Sequence, residues 1–170
     1  MRRVFTLVMV LLAMSVITSG IAHAAATRTE IVGTIDLTAT STGDVYVTKS
    51  GIIRQVGGEA SGPIDCPDLR VKGQMQIVLN VIFNLKTEKG VGRGSFTISN
   101  AAGTFEGVFN VWDTNFIFFT GRLEGRGTNA YMGMMLHLEF SGKDWYRDND
   151  PNTNGIDAIF AGYIMSPHGI

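Results

Sequence analysis

The stretch that decides the fold class is Gln74-Met-Gln-Ile-Val-Leu-Asn-Val-Ile-Phe-Asn-Leu85, which has the longest regular alternation in the chain. Every second residue from Met75 to Leu85 is apolar, and four of the six residues in the alternate positions from Gln74 to Asn84 are Gln or Asn. Successive side chains of a β-strand point to opposite faces, so this spacing places the alternate apolar residues from Met75 to Leu85 on one face. The pattern therefore predicts a long strand with one buried face rather than a helix.

The same alternation recurs along the chain between glycine-rich turns. It predicts further strands at Thr29–Thr40, Asp44–Thr48, Ile52–Val56, Gly92–Ser99, Thr104–Trp112, Phe116–Glu124, Ala130–Phe140 and Ile156–Met165. Turn-forming residues predict a wide loop over residues 57–68, a turn at Gly125–Gly127 and a polar loop at Ser141–Gly155. Strands at this spacing indicate an all-β protein, either a sandwich or an antiparallel barrel of eight or nine strands. We favour the barrel because closure removes exposed strand edges and glycines within strands suit its tight bends.

The N-terminus has the layout of a secretory signal peptide. Arg2 and Arg3 precede an apolar run over residues 4–17, and Ala22-His-Ala24 forms a small-x-small cleavage site. Residues 1–24 are therefore predicted to be removed, which leaves residues 25–170 as one exported domain, secreted or periplasmic. An uncleaved membrane anchor is the alternative, but the run is shorter than the roughly 20 residues that span a bilayer. No stable membrane span is expected after cleavage.

Charge and cysteine content narrow the class of partner. Without Arg2 and Arg3, 12 basic residues face 15 acidic ones, a formal charge of −3, which does not favour nucleic acid. Cys66 is the single cysteine, so no disulfide can form within the chain despite the predicted export. We interpret it as a buried thiol, with an intermolecular bridge as the alternative.

Three glycine-bounded segments carry a resemblance to a known family. They are Gly125-Arg-Gly-Thr-Asn-Ala-Tyr-Met-Gly133, Gly94-Ser-Phe-Thr-Ile-Ser99 and Gly103-Thr-Phe-Glu-Gly107. The first resembles the signature of allene oxide cyclase-like and dirigent-like barrels, and the other two are similar to paired strands of related secreted barrels. The resemblance implies a calycin-like antiparallel barrel, often a homo-oligomer, with a lumen for an apolar molecule. The catalytic residues of those families find no match here, so their activity is not carried over.

A polar segment near the C-terminus has the spacing of a calcium loop. Oxygen-bearing side chains recur over residues 148–157, and Gly155 permits a sharp turn. Alternating oxygen ligands on a turning backbone suit a hard cation such as calcium. The candidate ligands are Asp148, Asp150, Asn152, Asn154 and Asp157. A polar hairpin loop without metal is the alternative, since Asn, Asp, Pro and Gly are also the usual turn formers.

Aromatic and methionine residues of the second half of the chain are candidates for contact with an apolar ligand. Such side chains are large and adaptable, which suits the wall of a lumen. The candidate ligand-binding residues are Phe105, Phe109, Phe118, Met132 and Met134. Simple core packing is one alternative, and an outer-membrane barrel is another, although the irregular N-terminal third argues against the latter.

Two sets of titratable residues could carry acid–base chemistry. His137 and Glu139 fall on the same face of a predicted strand, with Tyr131 further along it. The carboxylates Glu106, Asp113 and Glu124 could pair across strands, as a glycosidase requires. For both sets ordinary surface residues are the favoured interpretation, and neither is assigned a catalytic role.

The sequence therefore predicts an exported barrel that binds a small hydrophobic molecule. The alternatives are an allene oxide cyclase-like isomerase or cyclase, and a non-catalytic domain with a structural or oligomerising role. An accessible lumen with polar groups converging inside it would favour binding or isomerisation, whereas a filled interior would favour the structural role.

Overall fold

A computed structural model describes residues 26–115, 117–146 and 154–167. The predicted signal peptide lies outside these ranges. Nine strands are present: β1 Thr27–Ser41, β2 Asp44–Val47, β3 Ile52–Asp65, β4 Gly73–Asn84, β5 Lys89–Ser99, β6 Gly103–Thr114, β7 Phe118–Asn129, β8 Met135–Tyr146 and β9 Asn154–Ser166. Within the described ranges there is no helix of the length and apolar character needed to cross a membrane.

The strands form one antiparallel sheet that closes on itself. Its order is β1-β9-β8-β7-β6-β5-β4-β3-β2, and β1 also pairs with β3, for example Ile35 with Ile64. This pairing closes eight strands into a barrel and leaves β2 as an extra strand on β3. The predicted all-β antiparallel barrel is confirmed.

The wide loop predicted for residues 57–68 is wrong. Strand β3 runs through most of that segment and ends at Asp65. Its pairing with β4 shifts register between Gln55 and Gly58, where Gly57 has a φ of 70°. Glycine accepts this left-handed conformation without a Cβ clash, so the glycine pair makes a bulge within the strand rather than ending it. The actual connection is the turn at residues 66–72.

The turn predicted at Gly125–Gly127 is also wrong, and so are the boundaries of the strand after it. Gly125 lies inside β7, and the chain reverses at residues 130–134 before β8. A Cβ on Gly125 would lie 2.6 Å from the ring of Phe96, so glycine is required here by close packing. Strand β8 extends to Tyr146, into the segment predicted to be a polar loop.

Phenylalanine rings and glycines alternate inside the barrel. A Cβ on Gly94 would lie 2.8 Å from the Phe109 ring, and one on Gly142 would lie 2.7 Å from the Phe119 ring. Five further glycines stand in the same relation to an aromatic ring, at the pairs Gly33–Phe160, Gly90–Phe83, Gly103–Tyr131, Gly121–Phe140 and Gly125–Phe96. Large and small residues on facing strands thus interlock in a narrow interior.

The two ends of the barrel differ. Turns at residues 66–72, 100–102 and 130–134 close what we call the packed end, where Val71, Phe105 and Ile164 are completely buried. The opposite end, which we call the cavity end, carries the turns at 48–51 and 85–88 and the connection between β6 and β7. Cys66 is buried at the packed end, and burial raises the pKa of its thiol.

Candidate ligand cavity

A cavity of about 230 Å³ occupies the barrel interior toward the cavity end. Its position follows from the alternation of β4, which turns Met75, Ile77, Leu79, Val81 and Phe83 inward. Other strands add apolar side chains to the wall, among them Ile35, Phe109, Val111, Phe119, Leu123, Phe140 and Ile156. The long alternating strand that defines the fold class therefore also supplies one wall of the cavity.

Polar side chains enter this apolar wall at a few positions. Asp113 lies near the C-terminal end of β6, and Asp144 lies near the C-terminal end of β8. Gln55 reaches the cavity from β3 and donates a hydrogen bond to the backbone oxygen of Thr42 over 2.9 Å. Among the described residues that line the cavity there is no Lys, Arg or His. The site therefore combines a large apolar surface with a few acidic and amide groups.

The protonation of Asp144 is strongly perturbed. Removal from water is the main cause and the negative charge of Asp113 the second, and together they raise the pKa of Asp144 to about 7. Both effects disfavour the carboxylate anion, so at neutral pH Asp144 carries a proton for a large part of the time. Its backbone N–H donates to Ile117 O over 2.8 Å, which fixes β8 against the β6–β7 turn.

A second cavity of about 190 Å³ adjoins the first, and Gln55, Ile77, Leu79, Asp144 and Ile156 line both. Asn154, the first residue of β9, belongs to its wall. The side-chain oxygen of Asn154 is fully buried, and no donor within the described part of the chain hydrogen-bonds to it. A buried acceptor without a donor is costly, so this atom lowers the stability of the folded barrel.

The five predicted ligand-binding residues are distributed over the whole barrel. Among them Phe109 lines the cavity, whereas Phe105 is buried at the packed end and stacks on Tyr131 with ring centroids 5.1 Å apart. Met134 is partly buried against the core, and Phe118 and Met132 are 58% and 73% exposed. Strand alternation turns Phe118 outward and its neighbour Phe119 inward, a distinction that composition does not reveal.

The predicted calcium ligands are mostly outside the described residues, namely Asp148, Asp150 and Asn152. Asn154 faces the second cavity, while Asp157 is exposed and lies beside Lys143 on the outer face of the barrel. Within residues 26–115, 117–146 and 154–167, no three His, Cys, Asp or Glu side chains come together as a metal site. Calcium binding by this segment stays a prediction.

The residues considered for acid–base chemistry lie mainly on the outside. The Nδ1 atom of His137 is 3.6 Å from a carboxylate oxygen of Glu124, and the His137 ring stacks on Tyr163 with centroids 5.1 Å apart. Glu106 and Glu139 are exposed. Asp113 is the exception, because it lines the cavity and interacts with Asp144, two strands along the sheet, rather than with Glu106 or Glu124.

The sequence pattern places Asp144 in a polar loop and so does not indicate it as a residue of the lumen. A signal for it is nevertheless present, since Leu136, Leu138, Phe140, Gly142 and Asp144 continue one alternating series along β8. An acidic residue at the end of an inward-facing series is therefore a candidate for the lumen.

The outer face of the barrel carries exposed apolar side chains as well. Val32, Ile159 and Trp112 border a shallow depression across β9, β1, β8, β7 and β6. Such a patch is compatible with association between protein surfaces. The homo-oligomer implied by the family resemblance stays a prediction.

No protein-family model matches this chain, and comparison with curated proteins and with solved structures gives no match either. The resemblance to allene oxide cyclase-like and dirigent-like barrels accordingly stays a prediction.

Proposed function

We propose that this protein is exported and binds a small, predominantly apolar molecule inside the barrel. The observation that carries the proposal is the unequal filling of the interior, which is packed at one end and holds a cavity of about 230 Å³ at the other. Eight-stranded barrels are just wide enough either to fill with side chains or to hold one small ligand. Apolar walls with a few polar groups are the usual composition of small-molecule sites.

Export is part of the proposal and has its own test. It is supported by the basic, apolar and small-x-small segments of residues 1–24. After expression with the native N-terminus, the protein recovered from the periplasm or the medium is expected to begin at Ala25. Recovery of the full-length chain from the cytoplasm would contradict export without affecting the binding proposal.

Binding is tested by filling the cavity with a larger side chain. Val111 on β6 lines the cavity, whereas Val108 on the same strand points outward and is 61% exposed. The pair Val111→Phe and Val108→Phe therefore adds the same atoms inside or outside the barrel. We expect the uncharged dye Nile red to bind the wild type and V108F alike and to bind V111F at least about tenfold more weakly, a difference near 1.4 kcal/mol.

Circular dichroism and thermal melting of both variants show whether the barrel remains folded. If a folded V111F binds the dye as well as V108F does, the cavity is not the binding site. Absence of dye binding to the wild type, combined with no small molecule in native mass spectrometry of the purified protein, would sink the binding proposal and favour a structural role.

A second candidate function, an isomerase or cyclase, is favoured by the Asp113–Asp144 pair. A carboxyl with a pKa of about 7 beside a second carboxyl provides a proton donor and an acceptor in one apolar site. Ligand released from the protein after incubation is compared with untreated ligand by chromatography. A new species of unchanged mass that forms with wild type and not with Asp144→Asn supports catalysis, and unchanged ligand supports binding alone.

A further inference from the structure

The polar groups of the cavity share one chemical character, since they can all accept hydrogen bonds. Asp113 and Asp144 contribute carboxyl groups to the first cavity, and Asp144 also lies on the wall of the second, which includes Asn154 and the exposed Glu59. Gln55 lies on both walls as well. A ligand group placed beside Asp144 is thus surrounded by acceptor oxygens on one side and apolar carbon on the other.

The lining carries an excess of negative charge. Among the described residues of the two walls are the carboxyl groups of Asp113, Asp144 and the exposed Glu59, and there is no Lys, Arg or His. Charges interact more strongly inside a protein than in water, so a carboxylate in this position favours a ligand of opposite charge. The walls therefore select for a positively charged group on the ligand.

We propose that the ligand is an amphiphilic amine, with an apolar body among the cavity side chains and an ammonium group held by Asp144 beside Asp113. This inference rests on the proposed binding function and names its ligand class. An ammonium group has three N–H donors and no acceptor, which matches a site rich in oxygens. An anionic amphiphile would meet like charge from Asp113 and Asp144, which disfavours it.

A divalent metal ion is the competing occupant. Calcium requires six to eight oxygen ligands, whereas the described carboxyl groups of the two walls, those of Asp113, Asp144 and Glu59, do not come together as a group of three that could hold a metal ion. An organic cation needs fewer polar contacts because its apolar body is bound by the rest of the cavity. The walls therefore favour the amine over the metal.

Protonation of Asp144 links amine binding to pH. The charge that acts on Asp144 comes from Asp113 on β6, whereas Glu59 of β3 lies on the second wall as an exposed carboxylate, and Gln55 of β3 and Asn154 of β9 are uncharged. Because burial and Asp113 raise the pKa of Asp144 to about 7, an ammonium group binds best above that pH, when Asp144 is ionised. An aliphatic amine itself stays protonated there, since a model amine such as lysine has a pKa of about 10.4.

The test uses three probes with the same alkyl chain and different head groups: octylamine, octanol and octanoate. Calorimetric titration of the purified protein at about pH 8 is expected to give octylamine an affinity at least about tenfold above octanol, with octanoate weakest. Lowering the pH to about 5, where Asp144 is mainly protonated, should weaken octylamine by about tenfold or more and leave octanol unchanged.

Two charge-matched variants localise the effect. Asp144→Asn removes the carboxylate inside the cavity, whereas Asp157→Asn removes one from the exposed face of β9. We expect D144N to lose most of the preference for octylamine over octanol, and D157N to keep that preference.

The outcomes separate this inference from the proposed function. Octanol and octylamine binding with equal affinity to wild type, or a preference retained in D144N, would overturn the amine proposal and leave apolar binding intact. Failure of all three probes to bind would overturn both. Stabilisation of the protein by calcium that is lost in D144N would overturn the amine in favour of a metal ion.

Discussion

The hydroxyl of Tyr131 donates a hydrogen bond of 2.7 Å to the side-chain oxygen of Asn100 and so joins two of the turns that close the packed end of the barrel. The same Asn100 oxygen accepts from the backbone N–H groups of Ala102 and Gly103. The Asn100 amide nitrogen lies within hydrogen-bond distance of the carbonyl oxygens of Leu69, Arg70 and Lys72, in the third turn. One side chain thus fixes all three turns relative to each other.

This arrangement predicts unequal costs for two substitutions. Tyr131→Phe keeps the ring stacked on Phe105 and removes one hydrogen bond, so it should lower the free energy of unfolding by about 1 kcal/mol. Asn100→Ala leaves several backbone groups without their partner and should cost about 3 kcal/mol. Chemical denaturation measures both, with the outward-facing Asn110→Ala as the control, expected within about 0.5 kcal/mol of wild type. Equal effects of N100A and N110A would contradict the role given to Asn100.

The packing of Phe96 over Gly125 predicts a coupling between these residues. Gly125→Ala places a methyl group 2.6 Å from the Phe96 ring and should destabilise the barrel by about 1–3 kcal/mol. Phe96→Leu alone should also destabilise, because it removes buried volume. In the double variant the smaller side chain makes room for the methyl group. The loss of stability in the double variant should therefore be smaller than the sum of the two single-variant losses. Additive losses in the cycle would show that the ring does not impose glycine at position 125.

Asp144 predicts a loss of stability as the pH rises. Its pKa is raised to about 7 in the folded protein, above the value of 3.8 for an unperturbed Asp, so the folded state binds the proton more tightly. The contribution to stability is present below about pH 4 and is lost as the pH rises through 7. Relative to Asp144→Asn, the wild type should lose about 2–3 kcal/mol between about pH 5 and pH 8. A difference between the two proteins that does not change with pH would contradict burial of this carboxyl.

The contact between Asp68 and Arg70 at the packed end predicts a loss of stability as the pH falls. The Arg70 guanidinium bonds both of its carboxylate oxygens, over 2.9 and 2.6 Å, and this contact lowers the pKa of Asp68. Its contribution is therefore present above the ordinary Asp pKa of 3.8 and is lost as the pH falls through the lowered value. At neutral pH, Asp68→Asn should cost about 1–2 kcal/mol. Denaturation at about pH 2 should show a smaller difference from wild type, and an undiminished one would exclude ionic pairing as the cause.

Much of the fold follows from local pattern. The alternation from Met75 to Leu85 sets the inward face of β4, and closely similar patterns mark β1, β5, β6 and β9. Alternation is a local property of an extended chain with one buried face, so sequence alone is enough to recognise it. The wrong loop and turn predictions concern glycines that have another structural role. Gly57 forms a bulge and Gly125 accommodates a ring, although both resemble turn residues in the sequence.

Less of the candidate site than of the fold could be predicted from the sequence. The sequence pattern indicates Phe109 as a possible ligand contact and offers Asp113 only as a partner for Glu106 or Glu124. The pairing of Asp113 with Asp144 depends on the sheet, in which β6 and β8 flank β7 and closure curves them around one lumen, although 31 positions separate the two residues in the sequence. The buried oxygen of Asn154 depends on the same closure.

The sequence by itself determined that this protein is an antiparallel β-barrel, because the strand periodicity and the turn residues are properties of short, continuous segments. The tertiary structure decided which end of the barrel is filled and which holds a cavity, because that depends on which side chains from distant strands meet in the interior. It also decided the chemistry of the cavity. A carboxyl group acquires a pKa of about 7 only where folding removes it from water and places another charge beside it.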